Sequence, residues 1–193
     1  MTAEKKSNKE IAILGGGCFW CTEAVFLRLR GVSQVTSGYT GGFVANPTYE
    51  QICTGRTGHA EVVRVEYDPV VVSFEQILDV FFHTHDPTTL NRQGPDTGTQ
   101  YRSAVFWSNK QQKDRAAEII NKLDDSGDFD DPIVTTLEKL KEFYSAEKYH
   151  KKYYDLNRNQ GYCRAVIDPK VAKFQKRYKK LMKPARATQK NQY

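Results

Sequence analysis

Four cysteines stand at positions 18, 21, 53 and 163, and the first lies in the run GGGCFWC. The thiolate, not the thiol, is the nucleophile, so a reactive cysteine needs surroundings that favour an anion. Cys18 follows Gly15, Gly16 and Gly17 and opens a stretch with apolar residues at helical spacing. That places it at a predicted helix N-terminus, where backbone N–H groups and the helix dipole favour negative charge. The glycines permit close approach of a substrate or of other backbone. Phe19 and Trp20 set two large apolar faces beside the sulfur, a wall suited to a thioether-like group. An inert, buried Cys18 with Phe19 and Trp20 as core is the competing reading, and these residues alone support both about equally. Cys18 and Cys21 also form C-x-x-C, a pattern shared by dithiol redox pairs and half zinc sites. Zinc needs further ligands at suitable spacing. Cys53 and Cys163 each stand alone, so no metal is expected. Four cysteines in 193 residues do not make a disulfide framework. In a reducing compartment they are expected to be free thiols whose disulfides are transient, a first pointer to redox chemistry.

The elements that must carry these residues alternate. Ile11 to Leu14 reads as a strand running into the three glycines, Cys18 to Leu29 as a helix closed by Gly31, and GVSQVTSGYTGG as a second strand. Val62, Val63, Val65 and Tyr67 form a β-branched strand stopped by Asp68 and Pro69, and Ser73 is the predicted N-cap of a helix holding Phe74, Ile77, Leu78, Phe81 and Phe82. From His83 to Tyr101 the chain is rich in turn formers and reads as one long loop, a length that in a compact domain signals function. Beyond it the pattern predicts a strand at Ser103 to Trp107, a helix at Lys110 to Leu123, a strand at Ile133 to Thr136, a helix at Ala146 to Leu156 and a basic helix at Pro169 to Leu181. Strands alternating with helices argue for layers on one sheet, either α/β or α+β. No repeat and no linker divides the chain.

Composition excludes several classes. Hydrophobic residues at 39% and charged residues at 27% rule out collagen-like and wholly disordered chains. No stretch approaches the ~18 apolar residues of a membrane span, and MTAEKKSNKE lacks the apolar core of an export signal, so a cytoplasmic protein with no membrane partner is expected. The net charge of +6 is uneven: residues 1 to 138 hold 13 basic against 19 acidic side chains, and residues 139 to 193 hold 16 against 4. The basic end carries no nucleic-acid motif and reads as a solvated helix and tail, so nucleic acid is not an expected partner.

Several segments in order, GGGCFW at 15 to 20, SGYTGG at 37 to 42, PTYEQICTGRTGHAE at 47 to 61, DPTTLNRQGPDTGTQYRS at 86 to 103, AEKYHKKY at 146 to 153 and GYC at 161 to 163, resemble the peptide methionine sulfoxide reductases of the A type. Such enzymes repair oxidised methionine, one enzyme per sulfoxide epimer. The resemblance implies an α+β fold, a two-layer sandwich with a ferredoxin-like core and a mixed or antiparallel sheet packed against helices. It implies reduction of free and protein-bound methionine-S-sulfoxide without a cofactor. Cys18 would be the nucleophile, Phe19 and Trp20 the wall of the methyl pocket, and Glu61 the acid that protonates the departing oxygen. Tyr49 and Tyr101 would hydrogen-bond that oxygen, Asp96 would anchor the substrate loop, and His150 would help to order the site. Cys163 would resolve the sulfenic acid, with Cys21, where the family more often has glycine, as competitor; Cys53 is expected to be a buried structural cysteine. Thioredoxin or a similar dithiol would complete the cycle. Residues 1–10 are expected to form a flexible segment, 11–167 the catalytic domain of a monomer, and 168–193 a basic helix and tail. Two other readings compete: a general thiol–disulfide oxidoreductase using the C-x-x-C pair, and a binding module using the basic end.

Overall fold

The strand Glu10–Gly16 (β1) is buried over its last five residues, and a segment apolar on both faces belongs in the middle of a sheet. In the computed structural model, which describes residues 9–184, β1 lies at the centre. Chain order continues with helix α1 (Phe19–Leu27), strand β2 (Val32–Thr40), the short helix α2 (Tyr49–Cys53), strand β3 (Ala60–Tyr67) and helix α3 (Phe74–Thr84). A two-residue hairpin, β4 (Arg92–Gln93) and β5 (Asp96–Thr97), leads to strand β6 (Ser103–Trp107) and helix α4 (Lys110–Ser126). Strands β7 (Thr136–Lys139) and β8 (Tyr144–Ser145) and helices α5 (Tyr153–Leu156) and α6 (Asp168–Arg177) complete it.

The six-stranded sheet runs β7-β6-β1-β3-β2-β8. β1 pairs antiparallel with β3 (Leu14 opposite Val63) and with β6 (Gly16 opposite Ser103), β2 pairs antiparallel with β3, and β6 with β7 is parallel. The sequence β1-α1-β2-β3-α3-β6 with spatial order β6-β1-β3-β2 is a split βαβ arrangement, the ferredoxin-like core that the resemblance implied. The fold is α+β with a mixed sheet. On one face Leu14, Val63, Val65 and Val105 pack against Phe26, Leu29, Ile77 and Phe81 of the helical layer, and Phe174 of α6 joins them fully buried. The other face buries Ile13, Val62, Ala104 and Phe106 under Leu140 and Phe143. The chain end is strapped back to α1: Arg30 N–H donates to Leu181 O at 2.7 Å and Lys183 N–H to Arg28 O at 2.9 Å. None of the described helices is long and apolar enough to cross a membrane.

Several sequence expectations change in detail. Ser73 caps α3 as expected, accepting from Gln76 N–H while the Gln76 side chain accepts from Ser73 N–H. The helix expected over Ala146 to Leu156 is broken into a 3-10 turn, Lys148–His150, and the short α5, because Lys152 takes a left-handed φ of 54° and gives its N–H to the buried Glu23 carboxylate at 3.0 Å. The strand expected at Ile133 to Thr136 lies at Thr136–Lys139, where it meets β6, and the basic helix stops at Arg177 before a 3-10 turn. The long loop after α3 holds the β4–β5 hairpin and a 3-10 turn at Thr99–Tyr101. Glu10, expected in a flexible segment, begins β1 and accepts a hydrogen bond from the Tyr67 hydroxyl at 2.7 Å. Residues 1–8 and 185–193 of the expected terminal segments lie outside the described residues.

Candidate active site

Only one of the three glycines before Cys18 makes the turn. Gly15 and Gly16 belong to β1, while Gly17 has φ +84°. A Cβ on Gly17 would lie 2.4 Å from the Gln93 side chain, and one on Gly16 would lie 2.9 Å from the Phe81 ring. The chain leaves the central strand through this crowded turn, and Cys18 becomes the N-cap residue of α1, 6% exposed.

Glu61, the second residue of β3, lies beside it. The Phe19 N–H donates to a Glu61 carboxyl oxygen at 3.0 Å, so the residue after the cysteine is bonded directly to the candidate acid. The Glu61 carboxyl is 2% exposed, and burial pushes its pKa up to about 8; the Phe19 N–H opposes the rise and the nearby Asp96 and Cys21 add to it. Burial, followed by the field of Glu61, also raises the phenols of Tyr49 and Tyr101, which stay protonated donors at any working pH. Tyr49 opens α2, held by a capping box between Thr48 and Gln51, and Tyr101 closes the 3-10 turn after β5. Asp96 accepts a hydrogen bond from Tyr162 at 2.6 Å, which ties the β4–β5 hairpin to the segment just before Cys163.

The thiols differ from expectation. Burial, contact with Cys21 and the field of Glu61 raise the Cys18 pKa well above the usual thiol value, outweighing the helix terminus on which a lowered value was expected. Cys21 moves the other way, because contact with Cys18 and the nearby Lys170 favour its thiolate against the opposing effect of burial. Cys163, the resolving cysteine that the resemblance implies, is fully buried at the start of a π-helical turn, Cys163–Ile167. Cys18, Cys21 and Cys163 share one apolar cluster with Ala24, Tyr154, Ile167 and Val171. Cys53, expected to be buried, is exposed at the end of α2, with Ile52 turned inward in its place, and lies beside the Tyr49 phenol. All four cysteines are free.

Aromatic side chains close the space around Phe19 and Trp20. Trp20 stacks on Tyr153 at 3.7 Å between ring centroids and meets Tyr162 edge-on at 5.9 Å, while Phe19 packs near Tyr39, Tyr49 and His150. His150, fully buried, accepts the Trp20 indole N–H on Nδ1 at 3.0 Å. Every residue singled out in the sequence, Cys53 included through its place beside the Tyr49 phenol, therefore lies in one region, where a buried thiol, a carboxyl that burial keeps protonated at neutral pH and two phenols adjoin an apolar wall. Four neighbours escaped sequence reasoning: Tyr39, Glu147, Tyr153 and Tyr162. Tyr162 is the middle residue of GYC and Glu147 the second of AEKYH, so the motif boundaries contained the signal. Among the described residues no group of three or more His, Cys, Asp or Glu side chains is placed to hold a metal ion.

Comparison with known proteins shows the family to which the fold belongs. The family model described as peptide methionine sulfoxide reductase matches residues 10–182. A peptide methionine sulfoxide reductase MsrA of Acinetobacter baumannii is 55% identical over 172 residues, 89% of this chain and 98% of that protein. The crystal structure of reduced Mxr1 from Saccharomyces cerevisiae superposes with a TM-score of 0.74 at 34% identity, covering 82% of this chain and 91% of Mxr1. A structure of Mxr1 in complex with Trx2 shares the fold with a TM-score of 0.52 at 23% identity, covering 79% and 89%. With a match spanning nearly the whole described chain and the site residues gathered within it, the chain belongs to the peptide methionine sulfoxide reductase family.

Proposed function

We propose that this protein reduces methionine-S-sulfoxide, free and in proteins, with Cys18 as nucleophile and Glu61 as acid. The observation that carries the reading is the buried Glu61 carboxyl: it titrates at about 8, so it holds a proton at neutral pH, and it is bonded to the N–H of the residue that follows Cys18. Phe19 and Trp20 receive the substrate methyl group, Tyr49 and Tyr101 donate to the sulfoxide oxygen, and Asp96, through Tyr162, fixes the loop over the substrate. Cys18 releases its proton to solvent and the resulting thiolate attacks the sulfoxide sulfur, forming a sulfur–sulfur bond. Glu61 protonates the oxygen as the substrate's sulfur–oxygen bond breaks; the hydroxide so formed attacks the Cys18 sulfur, the sulfur–sulfur bond breaks, and methionine leaves while Cys18 carries the oxygen as sulfenic acid.

Cys163 then attacks that sulfur, a disulfide forms and water leaves. Cys21 is the second candidate, favoured by its direct contact with Cys18. A dithiol of the thioredoxin class reduces the disulfide in a reducing compartment, here taken as the cytoplasm; Mxr1, a relative by structure, has been solved with Trx2. The test is turnover of separate S and R epimers of a blocked methionine sulfoxide with dithiothreitol. The expected result is reduction of the S epimer alone and its loss in Cys18→Ser; reduction of neither by folded wild type overturns the reading, and efficient insulin disulfide reduction would point to the general oxidoreductase instead.

A further inference from the structure

One carboxylate, that of Glu147, joins three groups around the pocket. Its Oε1 accepts the Tyr49 backbone N–H at 2.8 Å, and its Oε2 accepts the Tyr39 hydroxyl at 2.9 Å. The same Oε2 faces His150 Nε2 at 3.7 Å, too long for a hydrogen bond but close enough for a charge to orient a ring N–H. The orientation follows from the other ring nitrogen. His150 Nδ1 accepts from Trp20, so in the neutral ring the proton sits on Nε2, and that fully buried atom has no hydrogen-bond partner among the described residues. Glu147 is the nearest acid to it. Burial lowers the His150 pKa and favours the neutral ring, and hydrogen bonds from the Tyr49 N–H and the Tyr39 phenol outweigh burial to hold Glu147 ionised. Tyr39, Tyr49 and His150 all pack against Phe19, with ring centroids 5.8, 6.5 and 4.9 Å away.

We propose that Glu147 is a positioning residue for sulfoxide reduction, holding the phenol of Tyr49 and, through His150, the indole of Trp20 in one fixed arrangement about Phe19. It touches neither substrate nor sulfur. The start of α2 is where this matters most: the capping box serves Thr48 and Gln51, whereas the Tyr49 N–H in the first turn has no partner within the helix, so the contact from Glu147, 98 residues away in the chain, fixes the backbone from which the phenol extends. This inference rests on the reading of Tyr49 and Trp20 as oxygen-binding and methyl-binding residues.

The test compares Glu147→Ala and Glu147→Gln with wild type in sulfoxide reduction by dithiothreitol, each also in a Tyr49→Phe background. Loss of a charge-assisted contact that orients a reacting group predicts a fall in kcat/KM for the sulfoxide of about 10- to 100-fold in Glu147→Ala, with KM for dithiothreitol unchanged. Glu147→Gln keeps one acceptor oxygen and recovers most of the loss. In the Tyr49→Phe background both losses shrink, because the group being positioned is gone. Losses that add undiminished to those of Tyr49→Phe, or a Glu147→Ala enzyme within twofold of wild type, overturn the proposal. If Glu147→Ala does not fold, the Gln variant carries the same cycle with a loss of a few-fold. The indole N–H resonance that disappears in Trp20→Phe supplies a readout independent of activity: it shifts in Glu147→Gln if His150 is reoriented. Wild type that reduces no sulfoxide sinks the functional reading, while an unshifted indole signal sinks the positioning role.

Discussion

Replacing Glu61 by Gln removes the acid and keeps its shape, and the structure sets how stability should then depend on pH. In the fold the Glu61 carboxyl titrates at about 8, against 4.5 in an open chain. Between those values the unfolded chain gives up a proton that the folded protein keeps, so wild-type stability from this group is fully present below pH 4.5 and drains away as pH rises to about 8. The slope is about 1.4 kcal/mol per pH unit, and the whole loss is on the order of 5 kcal/mol for a carboxyl this deeply buried. Glutamine is neutral throughout and its carbonyl oxygen can still accept the Phe19 N–H. Glu61→Gln should therefore match wild type near pH 4.5 and become progressively more stable than it up to pH 8, while its sulfoxide reduction falls by about 10²- to 10⁴-fold. Glu23, also raised by burial, to about 7, is present in both proteins and cancels. Urea unfolding at half-unit steps from pH 5 to 8.5, with activity measured on the same samples, reads both effects. A stability difference that does not change with pH would refute the reasoning, because Glu61 would then be ionised at neutral pH and unable to serve as the acid. In wild type, activity should decline as pH passes about 8, where the carboxyl loses its proton.

Non-reducing peptide mapping after one turnover without reductant should find Cys18 bonded to Cys163 in wild type; a Cys18–Cys21 bond there reverses the assignment, whereas such a bond in Cys163→Ser alone makes Cys21 a substitute. Gly17→Ala forces a left-handed residue and sets a methyl group 2.4 Å from Gln93, whose side chain brackets Asp86 through bonds of 3.1 and 2.9 Å, so a loss of about 2–4 kcal/mol and a fall in Tm of about 5–15 °C are expected by calorimetry.

The central strand and β6 were legible as short apolar runs bounded by turn residues, α1 as an apolar stretch between Gly17 and Gly31, and α3 because its apolar residues recur at the helical period. α2 was missed because five residues show no period, although Thr48 and Gln51 carry the T-x-x-Q spacing of a capping box. The break at Lys152 has no local cause in the sequence YHKKYYDL; it is imposed by Glu23, 129 residues away, which takes the Lys152 N–H. The same separation explains the thiols. A helix terminus can be read from GGGCFW, but the burial that raises the Cys18 pKa belongs to a cluster with Tyr154 and the Cys163 turn, and no local pattern encodes that cover. Cys53 was misplaced because the register of a one-turn helix decides whether residue 52 or 53 faces inward, and only Ile52 does. Glu61, Tyr49, Tyr101 and Asp96 were singled out through whole motifs; Glu147 and Tyr162, which bond to Tyr49 and Asp96, lay within two further motifs and drew no attention because their partners are far along the chain.

The sheet order has a consequence for how the chain acquires its reactivity. β1 lies between strands that start 50 and 93 residues after it, so its neighbours must both be synthesised and must close large loops before the centre of the sheet exists. Such non-local pairing folds slowly compared with helical bundles. Cys18 and Glu61 meet only when β1 and β3 are paired, Tyr101 joins through β6, and the cover over the thiols comes from residues beyond 150. A partly made or partly folded chain thus carries Cys18 as an ordinary thiol apart from the Glu61 carboxyl, and under the proposed mechanism reductase activity switches on with the last tertiary contacts, making turnover itself a reporter of completed folding.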